Sequence, residues 1–544
     1  MSFSLFPVSR LEALIGPNTL KKVETILPAF DTKIDVDSIY TKKNLLQILY
    51  AFIDSNDFNN KELRKEFLTY QHEPTINAFC DIHEINKALS FDEKVNKIVA
   101  KNWSDVQFCL SFCNHFTLPL KFIPEKKIDY PNLELLKKCD SPFKVLKDYQ
   151  SSISFRAIDK LKYRNNRFII QMPTGSGKTR TAMEIIADSI NNNKESCFVF
   201  WLVYSEELCE QAVECFEDIW KHVGKKDVKL VRAWGKNNLI INEDDKFAFI
   251  VGGFQKLNSI LQQNPIQLES LKDKTFLIIV DEAHRILAPT YKAVTDSLFG
   301  MNARLIGLTA TPGRGIDNSK ENQKLSEYFN EHKLDIETPG EMTVFAYLKS
   351  KEIMSYANFK PLIASPTHNL SERELKHLEE NFDYSSAFIK KIGEDDTRNL
   401  EILNELIQQL KTHKKAIFFG CSVDHSKFIC SMLNCLGIKA SHVDGSTDRG
   451  ARQSMLSEFK NGDLQILCNF GILSTGFDAP QTDLVFISRP TQSIVLYSQM
   501  IGRGLRGPAV GGTANCTIIT VRDNIIGLPN DSNIFTYFDD YFEN

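Results

Sequence analysis

The sequence predicts an α/β chain with two tandem parallel-sheet lobes, preceded by a mostly helical region. Three observations carry this. A short apolar run, Arg167-Phe-Ile-Ile-Gln-Met172, leads into Pro173-Thr-Gly-Ser-Gly-Lys-Thr179 and then a helical stretch to about Ile190. A second apolar run, Thr275-Phe-Leu-Ile-Ile-Val280, ends in Asp281-Glu282-Ala283-His284. From about Lys415, further apolar runs alternate with helical segments. Such alternation implies parallel sheets covered on both faces.

The first run reads as a buried strand, and the glycine-rich turn after it as a phosphate-binding loop. Gly175 and Gly177 let backbone N–H groups curl round an anion, and the following helix contributes the positive end of its dipole. Thr174, Gly175, Ser176, Gly177, Lys178 and Thr179 are the candidate nucleotide ligands. Lys178 would reach the β- and γ-phosphates, and Thr179 would place its hydroxyl on Mg²⁺. The loop departs from the strict pattern in one place, because Met172 stands where a first glycine belongs.

The second run places Asp281 at the carboxyl end of a strand, where open parallel sheets bind ligands. Asp281 is then the candidate Mg²⁺ ligand. Glu282 is placed to orient or deprotonate an attacking water. An acidic pair after a strand also serves as a helix cap, but the preceding Lys-Thr loop favours the catalytic reading. His284 is read as a bridge to the second lobe. Gly307-Leu-Thr-Ala-Thr-Pro312 ends another strand, with hydroxyls at Thr309 and Thr311.

In the second lobe, Ala416–Gly420, a strand ending in His442–Gly445, Leu464–Asn469 and Leu484–Ser488 read as strands, and Asp424–Leu436 as a helix. Gly476 permits close backbone approach, and Asp478 can bond a ribose hydroxyl. In Gln499-Met-Ile-Gly-Arg-Gly-Leu-Arg506 the spacing puts Arg503 and Arg506 on one helical face, aimed together at a phosphoryl group. A solvated basic helix end is the bland alternative.

These residues, in this order, resemble the DEAH-containing branch of superfamily 2 helicases and translocases. The likeness runs from about Lys144 to Val521. The stretch ILSTGFDAPQTDLVFISRPTQSIVLYSQMIGRGLR is similar to bacterial RadD-like proteins and to motor subunits of restriction enzymes. The resemblance implies two RecA-like lobes, ATP and Mg²⁺ as cofactors, and nucleic acid as partner, DNA in preference to RNA. It implies an adenine contact from Gln150 in Phe143-Lys-Val-Leu-Lys-Asp-Tyr-Gln150, and it groups Gln499 with the catalytic residues Lys178, Glu282, Arg503 and Arg506. It implies nucleic-acid backbone contacts from Leu202–Leu208, Val251–Lys256 and Phe419–Val423. Unlike RadD-like proteins, the chain carries no cysteine-rich segment after the second lobe.

Composition constrains the rest. A chain of 544 residues with 42% hydrophobic content can form several packed cores. A net charge of −4 excludes a diffusely basic surface, so a nucleic-acid footprint must be local. Twelve cysteines form no CxxC pair, which argues against zinc and for a reduced, cytoplasmic setting. No signal peptide and no apolar run of the roughly 20 residues that span a bilayer is visible.

The expected domains are 1–140, a helical accessory region open to protein partners; 141–335, the first RecA-like lobe; 336–525, the second; and 526–544, an acidic tail. In the first of these, helices are expected around Leu11–Leu20 with a break at Gly16-Pro17, over Asn44–Ile53 and over Trp103–Phe116. Lys121–Lys147 reads as a lysine-rich connector, and 371–411 as helices opened by a Ser371/Glu374 capping box. The expected function is an ATP-dependent helicase or translocase. The rivals are an ATP-gated nucleic-acid sensor and a motor subunit of a larger restriction or phage-defence assembly.

Overall fold

The computed structural model describes residues 2–30, 39–53, 55–86, 88–124, 133–136, 145–310 apart from 243, and 319–526 apart from 382, 448, 473–478 and 480. The first sheet holds β1 (Leu133–Leu136), β2 (Arg167–Gln171), β3 (Cys197–Val203), β4 (Val228–Ala233), β5 (Phe247–Gly253), β6 (Thr275–Asp281), β7 (Arg304–Thr309) and β8 (Lys333–Leu334). Their spatial order is β1-β4-β5-β3-β6-β7-β2-β8. All pairs are parallel except β1 on β4. The second sheet holds β9 (Tyr356–Asn369), β10 (Ala416–Phe419), β11 (Ala440–Val443), β12 (Ile466–Asn469), β13 (Leu484–Ile487) and β14 (Asn515–Ile526). Its order is β11-β12-β10-β13-β14-β9, parallel throughout. These are the two RecA-like lobes. Helices cover both faces of these sheets, so β3, β4, β10, β12 and β13 are buried end to end and mostly apolar, with Lys229, Arg232 and Asn469 as buried polar exceptions.

Several strands are additions to the sequence reading: β3, β4, β5 and β8 in the first sheet, and three whose placement is informative. Leu133–Leu136, inside the expected connector, forms the antiparallel edge strand β1. β9 contains Pro361 and Pro366, which argue against a strand; an edge position tolerates them because one side of the strand needs no ladder donors. β14, beside β9, completes the second sheet. The helices expected over 371–411 form as Glu372–Asn381, Ser386–Gly393 and Asp396–Leu410. The capping box also forms: Ser371 N–H donates to Glu374 Oε2 at 2.8 Å and Glu374 N–H to Ser371 Oγ at 3.3 Å.

The front region is helical, with Val8–Ile15 and Pro17–Ile26 meeting at Gly16, then Lys42–Phe52, Lys61–Thr69, Glu73–Ile82, Phe91–Ala100 and Val106–His115. Caps start these helices: Thr41 accepts from Asn44 N–H, Ser90 and Glu93 form a capping box, and Asp105 accepts from Gln107 and Phe108. Phe3, Phe58, Phe67, Phe112 and Phe122 pack ring against ring in its interior. This region docks on the second lobe, not on the first lobe that follows it in sequence. Leu45, Leu46 and Leu49 share one apolar core with Phe428, Ile429, Met432 and Leu433. Lys427 Nζ donates to the Phe52 carbonyl at 3.4 Å across the same seam. No helix among the described residues is long and apolar enough to cross a membrane.

Candidate active site

The phosphate-loop residues leave β2 at its carboxyl end. Met172 is fully buried and its N–H donates to the Thr309 carbonyl at 3.1 Å. That explains the missing glycine: the position faces the core rather than an anion. Ser176 turns the loop, its N–H and Oγ both donating to the Pro173 carbonyl, at 3.1 and 2.7 Å. Gly175 and Gly177 both sit at φ +86°, where a side chain is strained. Gly177 is also the N-cap of the Lys178–Asn192 helix, so Lys178 and Thr179 occupy its first turn.

The helix Asp148–Leu161 clasps this loop from upstream. Gln150 Nε2 donates to the Ser176 carbonyl at 3.1 Å and Tyr149 Oη to the same oxygen at 2.7 Å. A β-carbon on Gly177 would lie 2.2 Å from Gln150 Nε2, so the approach requires glycine. Tyr149 was not anticipated as a loop ligand. Its only signal was an aromatic ring beside Gln150.

Lys178 Nζ lies 3.6 Å from Asp281 Oδ1 and 3.8 Å from Glu282 Oε1. Glu282 adopts φ +54°, ψ +52°, a left-handed conformation costing a non-glycine residue roughly 1–3 kcal/mol. The turn follows directly on β6. Glu282 N–H donates to Asp281 Oδ1 at 2.9 Å, and His284 Nδ1 stands 3.5 Å from Glu282 Oε2. Burial works against the charge on Lys178, yet Glu282 and Asp281 hold its pKa above the ordinary value. Burial raises Asp281, with Lys178 opposing. Burial would raise Glu282 too, but the positive charge of Lys178, His284 and Arg285 takes it below the usual carboxylate value. Of the two carboxylates, Glu282 is the one whose charged form its surroundings favour.

The second lobe meets these groups. Gln499 is on the helix Ile494–Ile501, buried, and close enough to Glu282 for its amide to bear on that carboxylate. Arg503 and Arg506 do not share a helical face, contrary to their spacing. The helix ends at Ile501, and Gly504 N–H turns back to the Ile501 carbonyl at 3.0 Å. Arg506 pairs with Met354 in an isolated bridge. The chain beyond the helix is closely packed at two glycines: a β-carbon on Gly502 would lie 2.5 Å from Thr174 Cγ2, and one on Gly504 2.3 Å from Cys516 Sγ. Both arginines nevertheless face the first lobe. Arg503 is buried, which pushes its pKa down to about 10, with Glu282 opposing; it stays charged at neutral pH. Arg506 Cγ lies 3.5 Å from where a Gly175 β-carbon would stand, and burial lowers its pKa as well.

The structure thus brings Gln150, Thr174, Gly175, Ser176, Gly177, Lys178, Thr179, Asp281, Glu282, Gln499, Arg503 and Arg506 to one crevice. Gly476, Asp478, Thr311 and Phe143 lie outside the described residues. Thr309 is buried at the end of β7.

Comparison with known proteins gives two domain matches. Residues 143–314 match the family of the type III restriction enzyme res subunit, and residues 398–507 match the helicase conserved C-terminal domain. A 51.5 kDa protein of Lactococcus phage (isolate 7-9) is 28% identical over 342 residues, 62% of this chain and 62% of that protein. The putative ATP-dependent helicase IRC3 of Saccharomyces cerevisiae is 26% identical over 395 residues, 69% of this chain and 51% of that protein. The chain thus spans between half and two thirds of the length of these relatives. Among solved structures, the type ISP restriction-modification enzyme LlaBIII bound to DNA superposes with a TM-score of 0.51 at 18% identity, covering 74% of this chain and 29% of that one. That likeness is one of fold.

Proposed function

We propose that this chain is a superfamily 2 helicase or translocase, an ATPase that moves along or unwinds nucleic acid, with DNA preferred. The observation that carries the reading is the single crevice holding Lys178 and Glu282 from the first lobe and Gln499, Arg503 and Arg506 from the second. A triphosphate placed there offers both lobes one common ligand. Its hydrolysis removes that ligand, so the lobes close and reopen once per turnover.

Each side chain has a role in that cycle. Backbone N–H groups from Gly175 to Thr179 would cradle the phosphates, with Lys178 on the β- and γ-groups. Glu282, whose charged form its cationic neighbours favour, would orient the attacking water and accept its proton. Gln499, whose amide is near Glu282, would steady that carboxylate once the cleft closes on a triphosphate. Arg503 and Arg506 meet charge developing on the γ-phosphoryl, a contribution of roughly 10³–10⁵ in comparable enzymes. Asp281 and Thr179 supply hard oxygen donors of the kind Mg²⁺ takes, and would hold it. When bound, that ion would neutralise phosphate charge. Gln150 would read the adenine edge, having its amide already at the loop.

The match of residues 143–314 to a restriction-enzyme subunit family supports the preference for DNA. That match also favours a second reading, a motor within a larger restriction or phage-defence assembly that does not itself unwind. Repair is the alternative setting.

The test is steady-state ATPase against single-stranded DNA, duplex DNA, forked DNA and RNA, with strand displacement on the fork. Stimulation with displacement supports a helicase. Stimulation alone supports a translocase, a sensor or an assembly motor, which co-purification of partners then resolves. Wild-type hydrolysis by Lys178→Ala or Glu282→Gln overturns the site.

A further inference from the structure

One aromatic–cation pair beside the crevice is not used by the chemistry above. Tyr204 is the first residue after β3, and Ser205 then caps the helix Glu206–Val223, its Oγ accepting from Leu208 N–H at 3.4 Å. Arg285 closes the short turn that begins at Glu282. The Arg285 guanidinium lies over the Tyr204 ring, 3.9 Å from its centroid. The two belong to neighbouring strand exits, since β3 pairs with β6 and Leu202 sits opposite Val280.

We propose that the Tyr204–Arg285 stack transmits nucleic-acid binding to the hydrolytic carboxylate, with Tyr204 as a positioning residue. This rests on the proposed reading that the 202–208 segment lies along the nucleic-acid track. A guanidinium over an aromatic face is held by the ring's quadrupole and by dispersion, so the two move together. Arg285 ends the three-residue turn that Glu282 caps, its N–H donates to the Glu282 carbonyl at 3.0 Å, and its charge bears on that carboxylate. The Tyr204 phenol is also close enough to bear on Lys178 and Arg503. A shift of the turn between β3 and its helix, imposed by a bound strand, therefore moves Arg285 and with it the surroundings of Glu282. Tyr204 touches no phosphate in this scheme; it acts through Arg285.

The experiment is ATPase of the full chain with and without its best-stimulating nucleic acid, for wild type, Tyr204→Leu, Tyr204→Phe, Arg285→Gln and the Leu/Gln double variant. Removing the stack should lower the stimulation ratio by about tenfold, or about 1.4 kcal/mol. Tyr204→Phe keeps the ring face and should stay within about twofold of wild type. The double variant should fall no further than either single one, because the two changes remove one interaction. A stimulated wild type with an unchanged ratio in Tyr204→Leu overturns the pair alone, as does a Phe variant that falls as far as Leu. A wild type that no nucleic acid stimulates overturns the proposed function, and the pair with it.

Discussion

Gly502→Ala isolates the meeting of the two lobes from everything else at the site. Gly502 has φ −59° and ψ −13°, so alanine fits the backbone without strain. The added β-carbon would lie 2.5 Å from Thr174 Cγ2 and 2.7 Å from Thr174 Cβ. Ordinary carbon contacts are about 3.5–4.0 Å, so the lobes must part by roughly 1 Å. A displacement of that size at reacting groups costs on the order of 10²-fold in rate. The expected outcome is kcat down about a hundredfold, or about 2.7 kcal/mol in the barrier, with melting temperature held. ATP affinity should fall less than kcat, because the phosphate loop belongs to the first lobe and only the second-lobe contacts are moved. Adding Thr174→Ser removes Cγ2 and should recover part of the loss. The assay is steady-state ATPase at saturating ATP beside a thermal melt. A Gly502→Ala chain with wild-type kcat would falsify closure through Thr174 and Gly502.

Further expectations concern chemistry and stability. Lys178→Ala and Glu282→Gln should each abolish measurable turnover while circular dichroism and melting temperature stay near wild type. Arg398 Nε meets Asp523 Oδ1 at 2.5 Å with both side chains buried, and the guanidinium also bonds the Ser488 carbonyl. Arg398→Met should strand the carboxylate and cost roughly 3–5 kcal/mol in urea unfolding; a loss under 1 kcal/mol would refute the pair's role. His425 is fully buried, accepts from Cys421 N–H at 3.0 Å, and has its pKa pushed well below 6.5 by burial. The unfolded chain therefore takes a proton that the folded one refuses, so stability is full above about pH 6.5 and falls as pH drops below it. The urea midpoint should decline between pH 7 and 5.5, and His425→Gln should flatten that slope. A chain starting at residue 145 should have a less stable, aggregating second lobe, read by light scattering, because Phe428, Met432 and Leu433 lose their cover.

Reading from residues alone reached furthest where the signal was local. The loop from Thr174 to Thr179 declares itself through glycines and a Lys-Thr pair between an apolar run and a helix, all within one stretch of chain. Asp281 and Glu282 follow a strand in the same way. The Ser371/Glu374 box needed only three intervening bonds' worth of geometry. β9 escaped because Pro361 and Pro366 contradict a strand unless its position in the sheet is known. The helical reading of Arg503 and Arg506 failed for a related reason. Their spacing is helical, but the helix ends at Ile501, and the chain that follows packs on Thr174 and Cys516, neither of which the spacing of two arginines can reveal.

What the amino-acid sequence determined by itself is the chemistry: which residues can hold phosphate, orient water and answer with a guanidinium. Short-range sterics, hydrogen bonding and charge set those choices within a few residues. Only the tertiary structure decided where these groups meet, how the arginines approach outside a helix, and that the front helices dock on the second lobe rather than the first. Each of those outcomes depends on apolar surfaces brought together from opposite ends of the chain, and side-chain pattern along one segment carries no record of the surface that will cover it.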